Sequence, residues 1–474
     1  MTIPLRLPPA EMRRLGHRAA DLVVEHLSTQ RTQPVGGPPD PELLAGLFDS
    51  RLPDAPTDPV DVLEEVVRDV LATIVRTDHP RFLAYVPGPS NYVGAVADFV
   101  AAGLNVFAGQ GLVAPGPAVM ERITVDWLRQ LCGLPDGAGG LFVSGGTMAT
   151  LIAVHAARVH HGAGAVYVSA HTHRSIRRGL GFLGIDDARV RVVPLDHRYR
   201  MEVHELRTML ATDRRAGVPP LCVVATAGTT GTGAVDPLDE LAEVCAENGA
   251  WLHVDGAYGA AAVLSEQHRH LLAGLGRADS VALDPHKWWF QPYEAGCVLV
   301  RDVSLLEAAF AMEAEYLRET RADDVPLNFY DLGPQLTRSF RALKMWMSMR
   351  TFGLDAFRRA VDHGIGLVEH AEQMLRTSPG WEIVTPAQLA VLTFRPARSG
   401  LPPDAVDGLT RRIAAATLRD GRVLVTTTEL DGRPVLRLCA THPETSRADI
   451  EQAIDVLDEL AAANASDSPE AATR

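Results

Sequence analysis

Apolar and polar positions change their period along the chain. Between residues 9 and 28 the apolar positions recur at helical spacing, and "TQPVGGPPDPE", beginning at Thr32, ends that pattern with prolines and glycines. Residues 1–80 read as an arm of short helices. From residue 81 to about 335, short β-branched runs ("AVYVSA", "VRVVPL", "LCVVATAG", "WLHVDGA", "SVALD") alternate with helical stretches such as "DPLDELAEVCAENG". Uniformly apolar strands separated by helices predict βα units and a mainly parallel sheet covered on both faces. A long amphipathic segment follows, "SFRALKMWMSMRTFGLDAFRRAVDHGIGLVEHAEQML". Beyond it "WEIVTP", "LAVLTFRP" and "VLRLCAT" alternate with helices starting near Pro403 and Ser446, which predicts a small α/β domain. The expected division is an arm (1–80), a large domain (81–350), a small C-terminal domain (351–462) and a disordered tail (463–474) poor in apolar residues. No internal repeat is visible.

Composition narrows the range of partners. The 474 residues are 46% hydrophobic, enough for one large core and a smaller companion. A formal charge of −14 without a Lys/Arg run speaks against a nucleic-acid or anionic-membrane surface, which would need basic patches. A small solute fits better. Five scattered cysteines without a CxxC pair argue against a disulfide framework or structural zinc. The N-terminus lacks an uninterrupted apolar run, and nowhere do 18 uncharged apolar residues follow one another, so a cytoplasmic protein is expected.

In a parallel sheet, ligands sit at the carboxyl ends of the strands, and several loops there are unusual. "FVSGGTMATLIAVHAAR" runs from a short strand through Gly145, Gly146 and Thr147 into a helix whose first N–H groups could cradle a phosphate. The same residues also make an ordinary turn and N-cap. "WLHVDGAYGAA" ends an apolar run on Asp255, an expensive place for a carboxylate unless something cationic faces it. It could otherwise cap the next helix. "SVALDPHKWWF" places Lys287 after His286 and before two tryptophans, where burial would favour a neutral, nucleophilic amine. A lysine snorkelling at the surface is the plainer alternative. "YVSAHTHRSIRRG" carries His171 and His173; no acidic or thiol cluster at ligand spacing accompanies them, so no metal is expected, and one imidazole could pack on an aromatic ligand. "VATAGTTGTGAVDPL" adds Thr226, Thr229 and Thr230 among glycines.

Along the chain, the Gly146-Thr147 loop, His173, Asp255 with Ala257 two residues on, and the pair His286-Lys287 follow one another in an order that resembles the pyridoxal-phosphate-dependent group II amino-acid decarboxylases of the aromatic-L-amino-acid decarboxylase type. The resemblance extends over "HPRFLAYVPGPSNYVGAVAD", the "VDWL" after Glu121 and "SFRALKMWMSMRTFG". It implies the fold type I, aspartate-aminotransferase-like architecture, with a mainly parallel seven-stranded sheet and pyridoxal 5'-phosphate as cofactor. It further implies a homodimer clasped by the N-terminal helices. Lys287 would hold the cofactor as a Schiff base, and Asp255 would pair with the pyridinium nitrogen. Such a pair at about 4 Å, with an effective dielectric near 20, gains roughly 4 kcal/mol. His173 would stack on the ring, Ala257 would pack below it, and Gly146 and Thr147 would hold the phosphate. Thr226 and His286 complete the cofactor-binding set.

One tyrosine bears on the reaction. "FAMEAEYLRET" resembles a loop in which family decarboxylases carry a tyrosine that protonates Cα, and that position is Tyr316. Tyr316 thus implies decarboxylation of an L-amino acid, aromatic in the first instance, to the amine and carbon dioxide. An oxygen-dependent aldehyde synthase, an aminotransferase of the same fold and a catalytically silent assembly paralogue remain the alternatives. Three positions depart from the pattern. Asp284 stands where relatives often have an asparagine that helps bind phosphate, so Ser280 or a backbone N–H is the expected substitute. Gly109 and Gly111 stand where aromatic-amino-acid enzymes carry larger rings, leaving Tyr85, Pro87 and Phe107 as the expected apolar side of the substrate pocket.

Overall fold

The five β-branched runs and two further short strands form one sheet: β1 (Gly139–Val143), β2 (Ala165–Ser169), β3 (Val190–Val193), β4 (Pro220–Thr226), β5 (Trp251–Asp255), β6 (Ser280–Leu283) and β7 (Gly296–Val300). The computed structural model describes residues 5–48, 52–311, 327–397 and 401–465. Every residue of β2, β5, β6 and β7 is buried, as strands covered on both faces must be. Alternate residues enter different cores. Val166, Val168, Cys222 and Val224 pack in one cluster with Ile152 and Ala153 of the helix Gly146–His161. Tyr167, Val223 and Ala225 pack in the other, with Leu206, Leu210 and Leu241.

The strand order is β1-β7-β6-β5-β4-β2-β3. β6, β5, β4, β2 and β3 run parallel, and β7 is antiparallel to both β6 and β1. Two reversals restore direction, so the carboxyl end of β1 emerges on the same edge as those of β4, β5 and β6. The helix Gly146–His161 leaves from that edge and packs across β7, β6, β5 and β4.

A second sheet, wholly antiparallel, has the order β10-β11-β9-β8, from β8 (Trp381–Gln388), β9 (Val391–Pro396), β10 (Thr426–Leu430) and β11 (Arg433–Cys439). The residues just after the arm attach to it: Leu83 donates its N–H to Leu424 and accepts from Cys439, each at 2.9 Å. The amphipathic segment is two helices, Ala342–Phe352 and Leu354–Thr377, broken at Gly353, where φ is +72°. The last helix, Arg447–Ala465, runs past residue 463, where the tail was expected to begin. In the arm, the 21-residue helix Pro9–Thr29 buries none of its residues. Among the described residues no helix is long and apolar enough to cross a membrane, and all five cysteines are buried free thiols.

Candidate active site

Strand register brings the chemistry together. Thr226 pairs with Asp255 at the ends of β4 and β5, and Asp255 pairs with Ala282, two residues before Asp284. Lys287 follows in the turn after β6. From the outer edge, β1 delivers Gly145 and the start of the helix Gly146–His161, whose first-turn N–H groups have no acceptor within the helix. The close approach needs glycine: a Cβ on Gly146 would lie 3.0 Å from the Ala257 Cβ and 3.1 Å from Asp284 Oδ2. Together these ends enclose a cavity of about 230 Å³.

Its charges are closely coupled. Lys287 Nζ lies 2.8 Å from Asp284 Oδ2. Burial pulls the Lys287 amine down, but the carboxylates of Asp284 and Asp255 more than reverse this, leaving it above its ordinary value. Burial alone favours the neutral amine, whereas the acid at hand favours the charged form. Burial pushes the Asp255 carboxyl up, with the Lys287 charge and the Ala257 N–H, 3.1 Å from Oδ1, pulling against it. Burial likewise pulls the His286 imidazole down; His286 Nδ1 accepts from the Ala295 N–H at 3.1 Å.

Gly146, Thr147, His173, Thr226, Asp255, Ala257, His286 and Lys287 all line this cavity. The two histidines of "YVSAHTHRSIRRG" divide their tasks. His171 already stacks on Tyr199, with centroids 5.5 Å apart and planes 4° from parallel, whereas exposed His173 has no ring partner among the described residues and bonds Ser175 Oγ at 2.7 Å through Nδ1. Ser280 does not belong to the site. It opens β6 at the opposite end from Asp284, where its hydroxyl accepts from Trp251 Nε1 at 2.7 Å and pairs with His253 Nδ1 at 2.8 Å. Tyr85, Pro87 and Phe107 do not line the cavity either. Tyr85 is 63% exposed, Pro87 offers its carbonyl to Thr441 at 3.2 Å, and Phe107 packs beside Gly109. Tyr316 lies outside the described residues.

The profile of the pyridoxal-dependent decarboxylase conserved domain matches residues 41–397. The chain belongs to this decarboxylase family. It is 42% identical to an aromatic-L-amino-acid decarboxylase of Bacillus atrophaeus, over 97% of this chain and 98% of that one. It is 28% identical to a phenylacetaldehyde synthase of Petunia hybrida, over 95% and 94%. Its fold matches that of Oryza sativa TDC, solved with PLP and tryptamine, at a TM-score of 0.92 and 26% identity, covering 98% of this chain and 99% of that one. As a family member the chain is a pyridoxal-phosphate-dependent carboxy-lyase of fold type I.

The residues present fit the family's cofactor. Thr226 Oγ1 and Asp284 Oδ1 are buried without a hydrogen-bond partner, the mark of a polar wall that faces a ligand. The amine, the buried acid and the helix start converge where an aldehyde, a ring nitrogen and a phosphate could each find a partner. Sequence reasoning missed two supporting residues. His253, fully buried on β5, bonds Thr150 Oγ1 at 3.0 Å and Ser280, tying the helix Gly146–His161 to the sheet beneath the site. Arg437, buried on β11, donates from Nε to the Thr230 carbonyl at 2.5 Å and also to the Tyr85 carbonyl, joining the second sheet to two loops. An arginine inside the apolar run "VLRLC" was the available signal.

Proposed function

We propose that the chain decarboxylates an aromatic L-amino acid, giving the corresponding amine and carbon dioxide. The observation that carries this reading is the convergence of Lys287, Asp255 and the helix start at Gly146 on one cavity. The names of the relatives favour an aromatic side chain. Lys287 would hold the cofactor covalently through its amine, with Gly146 and Thr147 donating N–H groups to the phosphate. Asp255 would face the ring nitrogen and hold its proton, with His173 and Ala257 packing against the ring. When bound, the cofactor supplies a conjugated ring that accepts the electron pair left as carbon dioxide departs. Cα must then regain a proton, and the sequence pattern around Tyr316 supports that residue as its donor.

Oligomeric state and compartment follow from the same reading. A 21-residue helix without a buried residue, and exposed Phe99, Leu104 and Val113 at 69%, 73% and 61%, support a homodimer in which the arm covers a second copy. Free buried thiols support the cytoplasm. The phenylacetaldehyde synthase relative favours one rival, in which oxygen intercepts the reaction and an aldehyde results. Mass spectrometry of products, with the loaded enzyme incubated in air with aromatic, acidic and basic L-amino acids, separates the two. An aromatic amine is expected; an aldehyde with peroxide would replace this reading with the oxidative one.

A further inference from the structure

Tyr199 stands where glycine is the usual choice. It lies in the loop between β3 and the helix Val203–Arg215, inside the Leu195–Met201 bridge, donates its N–H to the Asp196 carbonyl at 3.0 Å, and has φ at +60°. A left-handed backbone after a tight turn is disfavoured for any residue with a Cβ, and most for a bulky one. Two contacts use its side chain. The ring stacks on His171, and the hydroxyl donates to Asp431 Oδ2 at 2.7 Å. Asp431 and Gly432 form the tip of the hairpin β10–β11, both left-handed at +50° and +74°, as a two-residue Asp-Gly turn requires. The tip of the second sheet thus holds a loop of the first. His171, in turn, lines the cavity, and its Nδ1 is buried without a hydrogen-bond partner among the described residues, so the stack on Tyr199 is what orients its ring. Only Thr172 separates it from His173, which is exposed and bonds Ser175 alone among the described residues. An exposed ring on a short loop keeps its place only as well as the loop does.

We propose that Tyr199 and Asp431 are positioning residues of the site: acting through His171, they fix the loop that carries His173, so that the second sheet sets how squarely this imidazole meets the cofactor ring. This rests on the reading that His173 packs against that ring. A residue held against its own backbone preference is held for its side chain, and here the side chain joins a hairpin tip to the cavity wall. The two contacts act in series: the hydrogen bond fixes the tyrosine ring, and the ring fixes His171. Breaking either loosens His173 and leaves Lys287, Asp255 and the helix start at Gly146 in place.

The test uses the full-length, cofactor-loaded protein and reads the visible circular dichroism of the bound cofactor, which reports packing around its ring, together with kcat, KM and the urea midpoint. His173→Ala sets the signal lost when the imidazole itself is removed. Tyr199→Gly suits the left-handed backbone; it is expected to keep the urea midpoint of wild type, lose at least half of the signal that His173→Ala loses, and lower kcat about tenfold with little change in KM. Tyr199→Phe keeps the stack without the bond and should lose less. Asp431→Gly, which keeps the hairpin turn, should match it, and the double variant should be no worse than either, because both remove one bond. Wild-type dichroism and kcat in Tyr199→Gly overturn the proposal. So does a signal that falls only in step with the urea midpoint, which would make Tyr199 a residue of the fold alone. A His173→Ala protein with the wild-type signal would remove the stacking on which the proposal rests, and the proposal with it. Should wild type decarboxylate no amino acid, the proposed reaction fails and the dichroism still decides the role of Tyr199.

Discussion

Arg338 grips Glu121 at 2.6 Å inside the large core, each with about 1% of its side chain exposed. The same guanidinium nitrogen donates to the Phe142 carbonyl at 2.7 Å, and Glu121 accepts from the Phe142 N–H at 2.8 Å, so the pair holds β1 from both sides of one residue. Three residues on, that strand becomes the helix start of the site. Arg338→Leu leaves a buried carboxylate unpaired and is expected to lower stability by about 3–5 kcal/mol in urea titration. Adding Glu121→Leu should recover part of the loss. A double variant no better than the single would mean that the guanidinium's bonds to the backbone, and not the charge pair, dominate.

Lys287→Ala is expected to lower turnover by about two to four orders of magnitude. Borohydride reduction of the loaded wild type should leave a cofactor adduct on the peptide carrying Lys287, absent from the variant. An adduct on another lysine would displace Lys287 from its role.

Gly296 opens β7 against the back of Gly145. A Cβ there would come within 2.7 Å of the Gly145 carbonyl carbon, a backbone atom that can yield only by moving the cradle. Gly296→Ala should therefore weaken cofactor binding by about tenfold or more, on the order of 1.4 kcal/mol, measured by equilibrium dialysis. Unchanged affinity would show that the helix start is not what holds the cofactor.

Acid should destabilise the fold before carboxylates titrate. Burial holds His253 at about 3 and His79 and His442 at about 4, against about 6.5 in an unfolded chain. A histidine depressed in the folded state favours folding fully above the unfolded value; that contribution falls away as pH drops through 6.5 toward the folded one. For His442 the loss is about 3 kcal/mol. Urea midpoints should fall from pH 7 to pH 4, and His442→Gln should flatten that slope. A variant with the wild-type slope would contradict the assignment.

Sedimentation of the full chain should give about twice its 51.1 kDa mass. Val24→Glu, placing a charge on the unburied helix Pro9–Thr29 at a residue 50% exposed, should weaken self-association by tenfold or more. A monomeric wild type would exclude the arm as a clasp.

Much of this architecture was legible because the middle strands are apolar throughout and separated by helices, a pattern that leaves few topologies. Strand direction was less so. β7 is as apolar as its neighbours, and only its connection shows that it runs backward. β10 was missed because its outward residues, Thr427 and Glu429, are exposed and dilute the apolar signal. Of the site, Lys287 and Asp255 could be paired from sequence because each ends or follows a strand. Ser280, expected to stand in for an asparagine at Asp284, is close to it in sequence but not in space, because the four-residue strand β6 carries it to the other end of the strands. The pull of Asp284 on Lys287 was hidden for a related reason. Burial is readable from an apolar context, whereas the 2.8 Å approach of Asp284 depends on the turn between them.

The edge position of β1 also sets a timetable. Its hydrogen-bonded neighbour in the sheet is β7, so the strand that launches the helix at Gly146 has nothing to pair with until Gly296–Val300 has been made. On a ribosome the order of synthesis is fixed, and a nascent chain that already carries both Asp255 and Lys287 still holds an unfinished cradle. Arg437, which ties two of the loops in place, arrives later again. On the proposed reading, cofactor capture belongs to a nearly complete polypeptide, and a chain interrupted before β7 would display Lys287 without the cradle that β1 launches.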